Sequence, residues 1–151
     1  MNEIAMAQRE KVCRLEKALA EFPPVVFPVR DMFAPGVYLR ELTLPANAVA
    51  VGAIHKTEHF SIISKGSIRV ETDEGLVQFD APHTFISKPG AKRAVYALTE
   101  TIWTTVHANP TDTQDLEEIV RTLCDKELSE LAGAENSLQI IYEKQQKELL
   151  K

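Results

Sequence analysis

The sequence predicts a mainly β domain, an antiparallel barrel or sandwich, with one helix before it and a helical extension after it. Three observations carry that prediction. Short β-branched and apolar runs recur about every eight to twelve residues between Val25 and His107. The breaks between them hold turn residues such as Pro35-Gly36, Lys65-Gly66 and Pro89-Gly90. Helical spacing of apolar residues is confined to the two ends of the chain.

Residues 1–23 form the N-terminal helical segment. Val12, Leu15, Leu19 and Phe22 recur at near-helical spacing, and Arg9, Lys11, Arg14, Glu16, Lys17 and Glu21 fall on the other faces. Pro23-Pro24 ends the helix, because proline has no N–H to donate and restricts the residue before it.

Residues 25–108 form the β domain. Its expected strands are Val25–Val29, Val37–Leu44, Ala48–His55, Phe60–Ile63, Ser67–Glu71, Gly75–Phe79, Thr84–Ser87, Arg93–Tyr96 and Ile102–His107. Arg40 and Glu41 are neighbours on one strand, so they point to opposite sides and one face of that strand is wet. Residues 111–151 form the C-terminal helical extension. Thr111 or Thr113 can cap its first helix, Asp115, Glu117 and Glu118 suit the positive end of the helix dipole, and Leu116, Ile119, Val120 and Leu123 make its stripe. Gly133 interrupts, and a last charged helix with Leu138, Ile141 and Tyr142 is expected after Ser137; such an end frays or pairs with another chain.

The bulk numbers narrow the function class. A chain of 151 residues with 44% apolar and 26% charged residues can bury one sizeable core. Its net charge of −5 argues against nucleic-acid binding, which needs a basic surface. No apolar run approaches the roughly 20 residues of a membrane span, and the N-terminus lacks a signal-peptide pattern. A cytoplasmic setting and free thiols at Cys13 and Cys124 are therefore expected.

The stretch from Gly52 to Gly66 holds His55, Glu58 and His59 and reads as strand, turn, strand. On these residues the region from about 35 to 108 resembles the cupins, small double-stranded β-helix barrels. The first cupin motif places Gly52 at its start, Ala53 at its first histidine, His55 at its second, His59 at its acid and Gly66 at its closing glycine. In the second motif Asp80 takes the turn, Lys88-Pro89-Gly90 takes the Pro-x-Gly place, and Arg93 stands at the last histidine. The Gly36–Glu41 opening, the His55–His59 segment, Pro89–Arg93 and the Trp103–His107 end also resemble small cupin-like proteins of tailed phages. The resemblance implies a cupin-type barrel, a degenerate metal motif and a phage-encoded protein of host cytoplasm or virion.

Three functional expectations follow. The first is an oligomeric binding, structural or accessory module that assembles through its terminal helices, with itself or with another phage protein. The second is a metal-dependent cupin enzyme, of isomerase or dioxygenase type, with one divalent Fe, Zn, Mn or Ni ion on His55, His59 and His107; His107 shares strand parity with Trp103 and Thr105. Glu58 is the alternative oxygen donor. Histidines that merely line the barrel, hydrogen-bonded to one another, are the plain counterpart. The third is a binding protein for a small anion held by Arg93, with Lys92 beside it, since a guanidinium fork matches carboxylate and phosphate. Its counterpart is an internal ion pair of Arg93 with Glu41, Glu71 or Glu100. His83 is expected in an exposed turn, and Tyr96 and Trp103 in the core.

Overall fold

A computed structural model describes residues 3–22, 27–72 and 75–124. The expected helix after Ser137 lies outside the described residues. Helix α1 (Glu3–Ala20) is followed by β1 (Val29–Ala34), β2 (Val37–Leu44), β3 (Val49–Val51), β4 (His59–Lys65), β5 (Ser67–Thr72), β6 (Gly75–Asp80), β7 (His83–Ser87), β8 (Ala94–Ala97), β9 (Thr101–Ala108) and α2 (Leu116–Leu123). The strands make a five-stranded sheet of order β1-β2-β9-β4-β7 and a four-stranded sheet of order β3-β8-β5-β6. Every pairing is antiparallel.

The two sheets face each other across a core in which Leu44, Ile63, Ile68, Val70 and Ala97 are fully buried. Burying each of the larger side chains contributes about 1.5–3 kcal/mol. The chain changes sheets through crossings at the two ends. At one end, Gly66 takes a left-handed φ of 86° where β4 passes to β5, after a register shift between Ile63 and Lys65. A Cβ there would lie 2.2 Å from the Glu100 carbonyl oxygen, so only glycine fits this corner. At the other end, the β3–β4 and β7–β8 crossings touch through a Gly90 N–H donating to the His55 carbonyl at 2.9 Å.

One expected strand is displaced. Of the run Val25–Val29, Val25 and Val26 lie outside the described residues, Phe27 and Pro28 are in no strand, and β1 occupies Val29–Ala34, which the sequence hides behind Arg30 and Asp31. Those charges are satisfied across the strand pair, Arg30 with Glu41 at 3.1 Å and Asp31 with Arg40 at 3.5 Å. Cross-strand pairing thus overrides the low strand preference of the edge.

Helix α1 lies on the outer face of the four-stranded sheet, where Val12, Leu15 and Leu19 pack on Val51 and Ala94. Phe22, expected in that stripe, is 65% exposed, whereas Arg9 and Glu16, expected on wet faces, are buried. Arg9 donates to the Gly90 carbonyl, and the Glu16 carboxylate meets the Lys92 ammonium at 2.7 Å. Helix α2 crosses the opposite end of the barrel from Gly66 and packs Ile119, Leu123 and the following Cys124 on Tyr38 and Ala53. Its cap is Asp115, accepting from the Glu117 and Glu118 N–H groups, in place of the expected threonines. Thr113 instead accepts from the Asp115 N–H at 3.2 Å and donates to Glu118 at 3.0 Å.

Candidate metal centre

Register builds the site. On β2, β9 and β4, inward residues alternate with outward ones, and antiparallel partners share a face. The inward row nearest α2 pairs Tyr38 with His107, and His59 with Ser87. The next row pairs Arg40 with Thr105 and Thr105 with Ser61, whose hydroxyl is 2.8 Å from that of Ser87. Leu42, Trp103 and Ile63 form the third row. The interior therefore runs from imidazoles at the mouth, through hydroxyls and a guanidinium, to an apolar floor.

His55 reaches the same point from the β3–β4 crossing, held by a single β-bridge to Cys124 and by a Lys56 N–H donating to the Leu123 carbonyl at 2.8 Å. The three rings converge, with centroids 4.5 Å apart for His55–His59, 4.5 Å for His59–His107 and 5.4 Å for His55–His107. One nitrogen of each lies within 4.8 Å of the others. Nitrogens around a tetrahedral metal at about 2.1 Å sit roughly 3.4 Å apart, so small ring movements close the set.

The donor chemistry fits a metal. The Nδ1 atoms of His55 and His59 are each 3.1 Å from a backbone carbonyl, of Ala53 and Thr57 respectively. A carbonyl only accepts, so each Nδ1 carries the proton and each Nε2 keeps its lone pair, the usual orientation of a metal-binding histidine. His107 Nε2 is 2.9 Å from the Thr105 hydroxyl, while its Nδ1 is buried without a partner. Burial pushes the His55 and His107 rings down to about 3, helped by the positive charge that His59 and Arg40 would place beside them. His59 is also lowered, by burial and by Arg93. Neutral imidazoles are what a divalent ion requires.

The other expected site residues separate. Arg93 lines the cavity, its guanidinium 6.0 Å from the centre of the Phe85 ring. Glu41, Glu71 and Glu100, its expected internal partners, form ion pairs with Arg30, Lys11 and Lys65. Lys92 does not join Arg93: its side chain is wholly buried against α1 with Glu16, because neighbours in an extended chain point to opposite sides. Glu58 is not a donor to the site either, being exposed and paired with Lys88 on the outer surface. His83 opens β7 and stacks on Phe79 and Phe85 at the far end of the barrel, not in an exposed turn. Trp103 lines the cavity, and Tyr96 is half-buried with its hydroxyl on Asn47 at 3.0 Å.

Two residues that sequence reasoning missed stand at the cavity wall. Arg40 points inward, and Tyr38 donates its hydroxyl proton to Asp31, which also pairs with Arg40. Burial and that acceptor raise the Tyr38 hydroxyl far above its ordinary range. The wet-face argument at Arg40–Glu41 held the signal but not its direction: the arginine is the inward one.

No protein-family model and no curated protein sequence matches this chain. Solved structures do. An RmlC-like cupin from Shewanella frigidimarina is similar over 64% of this chain and 85% of its own, at 14% identity and a TM-score of 0.50. The cupin domain of Schizosaccharomyces pombe Cnp3 aligns over 71% of this chain and 80% of its own, at 17% identity and a TM-score of 0.48. Ectoine synthase from P. lautus aligns over 56% of this chain, at 11% identity and a TM-score of 0.49, and the match spans 65% of that enzyme, under two thirds. Such identities speak to fold. The chain has the cupin fold, a mainly β double-stranded barrel carrying an N-terminal helix.

Proposed function

We propose that this cupin is a metal-dependent protein that holds one divalent transition ion, of Fe, Zn, Mn or Ni type, on His55, His59 and His107 and works on a small molecule admitted to the barrel. The observation that carries the reading is the convergence of three imidazoles, two of them pinned through Nδ1 to backbone carbonyls and the third with a buried, unpartnered Nδ1. Three protein ligands leave positions open for water or substrate, the arrangement of catalytic rather than structural sites. A metal bound there supplies Lewis-acid polarisation or an activated water. The protein's own contribution is to orient the rings, keep them unprotonated and exclude bulk water with α2.

Metal analysis of protein purified without a nickel column tests this. About one equivalent per chain is expected after reloading with Fe, Zn, Mn or Ni. His55→Ala, His59→Ala and His107→Ala each abolish it, while His83→Ala, at the far end of the barrel, leaves it intact. Sub-stoichiometric metal after reloading with all four ions sinks the proposal.

A further inference from the structure

Each of the three imidazoles is held by the residue two places earlier in the chain, but not all in the same way. His55 and His59 turn Nδ1 to the backbone carbonyls of Ala53 and Thr57, each at 3.1 Å. His107 instead turns Nε2 to the side-chain hydroxyl of Thr105, at 2.9 Å. The difference has a local cause. Ala53 and Thr57 lie in the β3–β4 crossing, outside the strands, so their carbonyls are open to a ring. Thr105 lies within β9, opposite Arg40 of β2 on one side and Ser61 of β4 on the other. Its backbone is committed to the sheet, and its side chain, on the same face as His107, is what reaches the imidazole.

The place of the proton follows from what is left over. His107 is 4% exposed, and its Nδ1 is buried without a partner. A neutral ring carries its proton on one nitrogen or the other. With the proton on Nδ1, a buried N–H would have no acceptor. With the proton on Nε2, that N–H donates to the Thr105 oxygen, and Nδ1 keeps a bare lone pair. Orphaned N–H groups are rarer in protein interiors than acceptors left short of a donor, so the second arrangement is the cheaper one. A buried lone pair beside the rings of His55 and His59, with centroids 5.4 and 4.5 Å away, is also a group that a cation would satisfy.

We propose that His107 is a ligand through Nδ1, and that Thr105 is the positioning residue that makes it so by accepting the Nε2 proton. The donor set is then mixed, with Nε2 from His55 and His59 and Nδ1 from His107. This assignment rests on the metal reading and adds to it a fourth residue, which touches no ion but decides which nitrogen is free to bind one.

Protein carrying isotope-labelled histidine, with zinc as the probe metal, tests this without an activity assay. Long-range proton–nitrogen correlation spectra show which ring nitrogens are protonated, bare or metal-bound, and the signals missing in His107→Gln assign His107. In metal-free protein at neutral pH, His107 should show a protonated Nε2 and a bare Nδ1, the reverse of His55 and His59. On zinc loading, with metal content measured separately, its Nδ1 should move to the metal-bound range while Nε2 keeps its proton. Thr105→Val keeps the shape and removes the acceptor, and it should weaken zinc binding about ten- to a hundredfold in competition with a chelating dye. Thr105→Ser, which keeps the hydroxyl, should restore most of that affinity. Should Thr105→Val fail to fold, the spectra of the parent protein carry the test by themselves. A proton on His107 Nδ1 in the metal-free spectrum, zinc held through Nε2 of all three rings, or parental affinity in Thr105→Val overturns this inference and leaves the metal centre standing. No bound metal and no shift of any histidine on loading is a separate result, and it removes the metal centre and this ligand atom together.

Discussion

Lys92 has the most quantifiable role in the molecule. Its side chain is wholly buried and its ammonium lies 2.7 Å from the Glu16 carboxylate, which is itself 7% exposed. That carboxylate has no other hydrogen-bond donor among the described residues. Replacing Lys92 with Met would therefore strand a buried negative charge between α1 and the four-stranded sheet. Breaking such a pair from one side costs about 3–5 kcal/mol, whereas replacing both partners by apolar groups is close to neutral. Lys92→Met and Glu16→Leu should each lower stability by about that amount. The double variant should return to within roughly 1–2 kcal/mol of the parent, a coupling of at least about 2 kcal/mol. For a chain of this size the single changes correspond to roughly 10–15 °C in Tm. Urea unfolding followed by circular dichroism gives all four corners of the cycle. Single variants that cost under about 1 kcal/mol, or costs that simply add, would refute the reasoning.

Further expectations concern the corner, the cap, the histidines and the tail. Gly66→Ala should cost at least about 2–3 kcal/mol, because its Cβ meets the Glu100 carbonyl at 2.2 Å. Gly36→Ala, equally left-handed but with nothing within 4 Å, should cost only about 1 kcal/mol, and thermal melts of the two compare space against strain. Asp115→Ala removes the α2 cap and should cost about 1 kcal/mol, with faster amide exchange in α2 than in β9 as the local readout. His107 is 4% exposed and its folded value lies near 3, below its ordinary one. Its contribution to metal-free stability is thus complete above about pH 6.5 and is lost as pH falls toward 3, at about 1.4 kcal/mol per pH unit. Flat stability between pH 6 and 4 in chelator would contradict this. The proposed assembly through the terminal helices requires fewer chains per particle by light scattering after deletion of residues 134–151, and an unchanged number of chains removes that segment from any assembly.

What the sequence determined by itself was whatever local chemistry dictates. Turn residues at fixed breaks placed β2 and β9 almost to the residue, and helical spacing placed the first helix. The turn signal at Lys65-Gly66 marked the barrel corner, because a left-handed turn pressed against a carbonyl admits one residue type. Strand parity also put His107 with Trp103 and Thr105, and the clustering of histidines in the β region named all three rings that meet.

Only the tertiary structure decided the rest, because a sequence carries alternation without an absolute inside. Parity separates Lys92 from Arg93, and Arg40 from Glu41, but which of each pair enters the barrel depends on which sheet face the core occupies. Packing of α1 drew Lys92 outward to Glu16, and the β1 edge drew Asp31 to Arg40. Strand β1 itself was hidden because its charges are paired only across strands. That α2 would close the mouth rests on contacts more than sixty residues apart in the chain, from Lys56 to Leu123 and from His55 to Cys124. No local pattern encodes such a contact. It arises when the apolar stripe of a short helix packs on Tyr38 and Ala53 at the histidine end of the barrel.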